Sequence, residues 1–260
     1  MITSSANGQI KNMLLLKKKA KERNARDVFL VEGIKMFREV PKDRLQKVFV
    51  SAGFYEKPEH KALLQGLEFE VVSDAVFDSI SDTRTPQGII CVVRQFHYRL
   101  EDLTKCASGQ PPLCMILENL QDPGNLGTIF RTAEGAGVTG ILLSRDCVDL
   151  YNPKVIRSTM GSVYRMPFYY AENFYQVIEQ WKQQGIGLYA AHLKGKNTYD
   201  KEDYRKPSAF LIGNESQGLT DQAAGLSDHY IRIPMSGQVE SLNAAIASAV
   251  LMYEARRQRG

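Results

Sequence analysis

The arginine that is best placed to take part in a reaction lies in the stretch NLQDPGNLGTIFRTAEGAG, which runs from Asn119 to Gly137. An Asp-Pro-Gly-Asn turn leads into a segment with helical spacing, and Asn125 stands where it can cap that helix. Arg131 lies inside the helix among small and apolar residues. Such an arginine usually reaches solvent or pairs with an acid. Its alternative use is as a fixed cation that faces a phosphate or a reacting oxygen.

A second polar stretch, LIGNESQGL, runs from Leu211 to Leu219 and follows a predicted strand. Gly213 can let a ligand approach the backbone, because glycine has no side chain. Asn214 and Glu215 then supply an amide and a carboxylate. Taken alone, the stretch favours a plain turn before a helix, with its acid near the positive end of the helix dipole.

A third stretch, IPMSGQVESLNAAIASA, runs from Ile233 to Ala249 and also follows a predicted strand. Ser241 stands in the N-cap position of the helix that follows, and the small residues of that helix suit close packing. Asn243 lies in the first turn of this otherwise apolar helix. A buried asparagine needs hydrogen-bond partners.

Strands and helices alternate through the part of the chain that carries these stretches. The strands are predicted at LCMILENL, GILLS, GLYAAH, SAFLIG and YIRIP. One intervening helix starts with an asparagine cap and a first-turn proline, Asn152 and Pro153. The alternation predicts a parallel sheet that is covered on both faces. Ligands bind outside the carboxyl ends of strands in such sheets, so we expect the three stretches to form one site.

The first hundred residues predict a separate and smaller α/β unit that begins with a helix over residues 10–25. The polar segment YRLEDLTKCASGQPPL lacks apolar periodicity and predicts a linker. We therefore predict domains at 1–98 and 113–260, joined by a linker at 99–112. Neither a GxGxxG fingerprint nor a P-loop is present.

The composition of the 260 residues is that of a globular protein, with 43% apolar and 24% charged residues. The sequence contains no run of 18 apolar residues, so no transmembrane helix is expected, and the N-terminus does not resemble a signal peptide. The four cysteines lack CxxC spacing and the four histidines lack ligand spacing, which predicts reduced thiols, a cytoplasmic protein and no metal.

Basic residues are concentrated near the N-terminus, where the only acid is Glu22. These residues are Lys11, Lys17, Lys18, Lys19, Lys21, Arg23 and Arg26. They form either an RNA-binding surface that contacts phosphates or a solvated helix face, and composition alone favours neither.

Together the three stretches resemble the three motifs of the SpoU/TrmH family of RNA ribose 2′-O-methyltransferases, within the SPOUT superfamily. The matching residues are Asn125, Gly127 and Arg131; Gly213, Asn214, Glu215 and Gly218; and Ile233, Pro234, Met235, Ser241, Leu242 and Asn243. The resemblance runs from Leu113 to the end of the chain. The first hundred residues resemble an L30e-like substrate-binding domain, through FLVEGIKMFREV and ISDTRTPQGIICVV.

This resemblance implies a trefoil knot in the C-terminal domain and S-adenosylmethionine as the cofactor, without a metal. It implies that loops hold the cofactor through Ala191, His192, Leu193, Gly213, Asn214, Ile233, Met235, Ser241, Leu242 and Asn243. It also implies a homodimer, with the last helix as a fitting interface element.

The implied reaction is methyl transfer to a ribose 2′-hydroxyl of RNA, with ribosomal RNA expected. By analogy Arg131 acts on the hydroxyl, either as the base or as a charge stabiliser beside a substrate phosphate. Asn125 and Glu215 are expected to orient Arg131 and the loops. Two alternatives stay open: a transfer RNA substrate, and an RNA-binding protein on the same fold that has lost catalysis.

Overall fold

The computed structural model describes residues 1–106 and 109–260. The helices are α1 (Gly8–Lys18), α2 (Ala20–Arg26), α3 (Ile34–Glu39), α4 (Ala52–Glu56), α5 (Pro58–Leu63), α6 (Asp74–Ile80), α7 (Pro123–Ala136), α8 (Pro153–Thr159), α9 (Phe174–Gln183), α10 (Asp221–Leu226) and α11 (Ala244–Arg259). The strands are β1 (Val28–Glu32), β2 (Leu45–Ser51), β3 (Phe69–Val72), β4 (Ile89–Arg94), β5 (Leu113–Leu117), β6 (Gly140–Ser144), β7 (Phe168–Ala171), β8 (Gly187–Ala191), β9 (Asn197–Thr198), β10 (Ser208–Ile212) and β11 (His229–Arg232). No helix in this described part is long and apolar enough to cross a membrane.

The first compact unit comprises Met1–Phe96 together with Asp149–Tyr164. Its sheet has the order β1-β4-β2-β3, in which only the β2–β3 pair is parallel. Apolar residues of α1, spaced three apart, are buried against this sheet and α6. The α/β unit predicted for the first hundred residues is therefore present.

The predicted N-terminal helix is interrupted at Lys19, which adopts an extended conformation between α1 and α2. The break turns the second helix so that Arg23 reaches back to the carbonyl of Leu16, at 2.7 Å. Arg23 also forms an ion pair with Asp149 of the same unit. Two of the three guanidinium nitrogens thus have partners, whereas Nε is buried without one among the described residues.

The second compact unit comprises His97–Val148 and Arg165–Gly260. Its seven-stranded sheet has the order β7-β6-β5-β10-β8-β11-β9, and every pair in it is parallel. All residues of β5, β6 and β10 are buried. The central strands are thus covered on both faces, which confirms the predicted parallel sheet.

Two boundaries predicted from the sequence differ from the structure. The segment Asp149–Tyr164 belongs to the first unit, where Tyr151 donates a hydrogen bond to the carbonyl of Phe96 at 3.0 Å. The predicted linker 99–112 begins with a 3₁₀ helix at Leu100–Thr104, whose Leu103 is fully buried in the second unit. Residues 107 and 108 of that linker lie outside the described residues.

Candidate active site

Neighbouring strands of the second unit end at one edge of its sheet. Strands β10, β8 and β11 lie side by side, and β5 flanks β10 on the other side. Because all are parallel, the loops that follow Leu117, Ala191, Ile212 and Arg232 leave the same edge. The three predicted motifs therefore emerge where parallel sheets bind ligands.

The side chain of Asn125 joins the three motifs. Its amide nitrogen donates to Glu215 Oε1 at 3.0 Å, and its amide oxygen accepts from Asn243 Nδ2 at 2.8 Å. Asn125 is only 8% exposed, so these hydrogen bonds lie largely out of water, where an unpaired amide would be costly. Asn243, which is itself exposed, was expected to fix the third loop against the second, but its side chain binds Asn125 of the first motif instead.

Glu215 holds the turn that precedes α7. Its carboxylate also accepts the backbone N–H groups of Gln121 at 3.1 Å and Asp122 at 2.9 Å. Burial raises the pKa of Glu215, but the hydrogen bonds from Asn125, Gln121 and Asp122 outweigh burial and hold this pKa below its usual value. The group is therefore an ionised acceptor that fastens two loops together.

Both helix caps predicted at the site are displaced by a few residues. Helix α7 is capped by Asp122, whose Oδ1 accepts from Asn125 N at 2.7 Å, so Asn125 is not the cap. Helix α11 is capped by Asn243 through the N–H groups of Ala245 and Ile246, so Ser241 is not the cap. In each case the residue directly before the first helical turn accepts the free N–H groups of that turn.

The loop after β10 closes tightly on itself. Asn214 and Gly218 exchange backbone hydrogen bonds at 3.0 and 2.9 Å, and Asn214 Nδ2 donates to the carbonyl of Asn119 at 2.8 Å. A Cβ on Gly213 would lie 2.1 Å from the backbone of both Gly218 and Leu219. The glycine is therefore required by the loop's own backbone, rather than by a ligand as the sequence suggested.

Arg131 is exposed on α7 and has no hydrogen-bond or ion-pair partner within residues 1–106 and 109–260. Asn125 and Glu215 were expected to orient Arg131 and the loops; their side chains bind each other and the loop backbone and make no hydrogen bond to Arg131 among the described residues. Their influence on Arg131 stays a prediction. Arg131 instead projects from a helix whose start is fixed by them. A cation without a partner is available to a bound anion.

The residues predicted to hold the cofactor follow the ends of β8, β10 and β11, and the last of them lead into α11. His192 donates its backbone N–H to the carbonyl of Ile231 at 2.9 Å, and its ring stacks on Tyr230. Ala191 and Ile233 are half-buried, Ser241 is exposed, and Leu193 is 67% exposed. These positions offer backbone groups and apolar surface on adjacent loops.

The backbone N–H groups of Met235 and Leu242, on the loop between β11 and α11, have no hydrogen-bond partner in the described part of the chain. Backbone donors without protein partners suit a heteroaromatic ring with nitrogen acceptors, as an adenine has. The donor set therefore fits the expected cofactor. No group of three metal-ligating side chains occurs among the described residues.

The N-terminal basic residues of the first unit divide into two sets. Lys11, Lys18, Lys19, Lys21 and Arg26 are exposed, and Arg26 pairs with Glu22 at 3.2 Å. Lys17 is half-buried and donates to the carbonyl of Ser81. Arg23 is only 3% exposed and is withdrawn from the predicted RNA-binding set, because its guanidinium is occupied within the unit.

Glu118 and Asn119 are site residues that the sequence reasoning passed over. Glu118 is 1% exposed, and Asn119 adopts a left-handed conformation with φ of 54°. Ser144 stabilises that conformation by accepting from Asn119 N and donating to Asn119 Oδ1. A charged residue directly after a fully apolar strand was the available signal for Glu118.

Comparison with known families identifies both parts of the chain. Residues 112–253 match the SpoU rRNA Methylase family. This chain belongs to the SpoU rRNA methylase family. In this SpoU protein, residues 7–91 additionally match the MRM3-like substrate binding domain. The two matches confirm the resemblance that the motifs carried.

Relatives of this SpoU protein align over nearly its whole length. The 23S rRNA (guanosine(2553)-2′-O)-methyltransferase RlmP of Bacillus subtilis is 30% identical over 257 residues, which is 98% of each chain. A crystal structure of an RNA 2′-O ribose methyltransferase superposes with a TM-score of 0.85 at 32% identity and covers 99% of this chain and 98% of that one. A crystal structure of AdoMet-bound rRNA methyltransferase from Sinorhizobium meliloti gives 0.84 at 31% identity, over 98% and 97%. The α/β fold of the SpoU domain is thereby confirmed, and the trefoil knot stays a prediction.

Proposed function

We propose that this protein transfers a methyl group from S-adenosylmethionine to a ribose 2′-hydroxyl of ribosomal RNA. The observation that carries the proposal is the hydrogen-bonded chain Glu215–Asn125–Asn243, which joins the three motif loops at the start of the helix that carries Arg131. The names of the relatives support ribosomal RNA, since they include enzymes of 23S rRNA.

The cofactor supplies an electrophilic methyl group on a sulfonium when it is bound. The chain's own contribution is to hold it: the backbone around Gly213, Met235 and Leu242 would receive the adenine and ribose. Leu193 would cover the ring with apolar surface, as its exposure allows. Asn214 and Asn243 fix these loops through their side chains.

Arg131 would act on the ribose oxygen. A hydroxyl is a poor nucleophile, so the site must stabilise the negative charge that develops as its proton leaves. A guanidinium stays charged in proteins, which favours Arg131 as the charge stabiliser and a substrate phosphate as the proton acceptor. Its freedom from protein partners leaves its donors available for both oxygens.

Transfer of labelled methyl groups tests the proposal directly. Purified protein would be incubated with labelled S-adenosylmethionine and with ribosomal or transfer RNA from cells that lack the protein. Label on ribosomal RNA, mapped to one 2′-oxygen, is the expected result. Label on transfer RNA alone would show that the substrate is transfer RNA. Binding of the cofactor or of RNA without any transfer would show that the protein has lost catalysis.

We also propose that the protein acts as a homodimer through the exposed face of α11. Ile246 and Tyr253 are 52% and 53% exposed and lie seven residues apart, on one helix face. The Tyr253 hydroxyl lies beside Gly135 of α7, so the face includes both helices. Exposed large apolar groups at helical spacing are typical of an interface.

Replacing Ile246 and Tyr253 together by glutamate is expected to yield a monomer, because four like charges would face each other across a symmetric interface. Light scattering at micromolar protein measures the mass. The matched control places glutamate at the exposed positions Gln176 and Gln180 of α9 and should keep the dimer. A dimeric mass for both variants would remove this face from the interface.

The exposed N-terminal lysines would contact RNA phosphates. Replacing Lys11, Lys18, Lys19 and Lys21 by glutamine is expected to weaken binding and to reduce the slope of log affinity against log salt by about one per lost phosphate contact. Substitution is preferable to deletion of the helix, because Ile10, Met13 and Leu16 of α1 are part of the core.

The control for this experiment replaces Lys42 and Lys57, two exposed lysines elsewhere in the same unit, by glutamine. RNA affinity would be measured at several salt concentrations by filter binding. A salt slope that is the same for wild type and the fourfold variant would contradict the proposal for these lysines.

The four cysteines are free, which together with a ribosomal substrate supports a cytoplasmic site of action.

A further inference from the structure

The carboxylate of Glu118 is the most deeply buried charge at the candidate active site. It follows β5 directly, is 1% exposed, and has no cationic partner among the described residues. Its Oε1 accepts from the Tyr175 hydroxyl at 2.9 Å and the Thr220 hydroxyl at 2.8 Å, and its Oε2 accepts from Thr220 N at 2.8 Å. Burying a charge is costly, so this arrangement needs all three donors.

Three donors converge on Glu118, and two of them belong to Thr220. The Thr220 hydroxyl already accepts the N–H of Ala223 at 3.1 Å as the cap of α10, so its single proton goes to Glu118. The Thr220 backbone N–H can only donate, and the tyrosine hydroxyl points its proton at Oε1. A carboxylate offers Thr220 two acceptor oxygens, whereas a glutamine amide would place an NH₂ group against one of the two Thr220 donors.

Glu118 anchors the far end of the loop Gly213–Thr220. The start of the loop is held by Asn119, which accepts from Asn214, and its middle is held by Glu215. Leu219, next to Thr220, packs its backbone N against Gly213, where a Cβ would lie 2.1 Å away. A shift at Thr220 would therefore be transmitted through the backbone of Leu219 to Gly213 at the start of the loop.

We propose that Glu118 is a positioning residue that locks the loop Gly213–Thr220 in the arrangement that receives the cofactor. This inference rests on the proposed function for its link to S-adenosylmethionine. Glu118 touches neither substrate nor cofactor in this role. It acts through Thr220, and Tyr175 completes its set of donors.

The test combines loop protection with cofactor affinity in the full-length protein. In Glu118→Gln and in Thr220→Val, amide hydrogen exchange of peptides that cover residues 213–220 is expected to accelerate by at least about tenfold without cofactor. Glu118→Gln opposes one buried hydrogen bond, and Thr220→Val removes the hydroxyl that both binds Glu118 and caps α10. The dissociation constant for S-adenosylmethionine, measured by calorimetry, should rise about tenfold, while kcat at saturating cofactor changes less than about threefold.

Three further variants separate positioning from general destabilisation. Thr220→Ser keeps the hydroxyl and should restore loop protection. Tyr175→Phe should accelerate exchange of the loop less than Thr220→Val does, because Thr220 keeps both of its hydrogen bonds to Glu118. Ser227→Ala, at the other end of α10, is the control and should leave loop protection unchanged.

Unchanged exchange of residues 213–220 in Glu118→Gln and Thr220→Val would overturn the positioning role. Faster exchange with an unchanged cofactor constant would overturn its link to the cofactor. If the wild-type protein itself did not bind S-adenosylmethionine, the proposed function would fall instead, and the exchange measurement would still decide what Glu118 does.

Discussion

Replacing Arg131 by alanine is expected to reduce methyl transfer by a factor of about 10³ while S-adenosylmethionine binds as before. The reason is that Arg131 is exposed on α7 and takes no part in the hydrogen bonds that join the motif loops. Its loss removes charge stabilisation without disturbing the loops. Single-turnover transfer of labelled methyl to ribosomal RNA measures the rate, and calorimetry measures cofactor affinity.

The matched control is Arg205→Ala, which removes an exposed arginine that precedes β10 and pairs with Asp203. This control should retain wild-type transfer. Arg131→Lys adds a finer comparison, because lysine keeps the charge but loses the planar fork of donors. Near-normal turnover by Arg131→Ala would remove this residue from the mechanism, whereas a parallel loss of cofactor affinity would assign it to binding.

The parts of the fold that local pattern determines could be predicted from the sequence. The apolar runs at β5, β6 and β10 are each fully buried in a parallel sheet, as continuous rather than alternating apolarity indicates. Helix α8 begins at Pro153 with Asn152 as its cap, as predicted. These features depend on residues within one turn or one strand.

Features that depend on distant partners could not be predicted in the same way. Helix α8 was identified correctly, yet its membership of the first unit depends on contacts with β1, far away in the chain. Arg23 looked like another exposed cation of a basic helix, but its partner Asp149 lies 126 residues away. Nothing in the local sequence distinguishes Arg23 from Lys21.

The candidate site shows the same division. Its three motifs could be recognised because each is a short sequence pattern that resembles the family's, and the structure adds the contacts between them. Glu118 is held by donors 57 and 102 residues away, so its role has no local signature beyond a charge after an apolar strand. The interaction of Asn125 with Asn243 likewise spans 118 residues. Motif residues could thus be recognised, but their partners could not.

Replacing Gly213 by alanine is expected to weaken S-adenosylmethionine binding between about tenfold and about a hundredfold. The added methyl group would lie 2.1 Å from backbone atoms of Gly218 and Leu219, which cannot move aside as the end of a flexible side chain can. The loop must therefore open, and it carries Asn214 and Glu215, which hold the turn before α7. Calorimetric titration with the cofactor gives the affinity, and a thermal melt shows whether the fold persists.

Gly225→Ala is the matched control for this substitution. Gly225 lies in α10, has open space where its Cβ would be, and is exposed, so alanine should be tolerated there. Equal cofactor affinity for both variants would show that the tight approach of Gly213 to Gly218 is unimportant for binding. A selective loss in Gly213→Ala would instead show that the sheet edge recognises its cofactor through a loop geometry that only glycine permits, because backbone atoms occupy the space of the missing side chain.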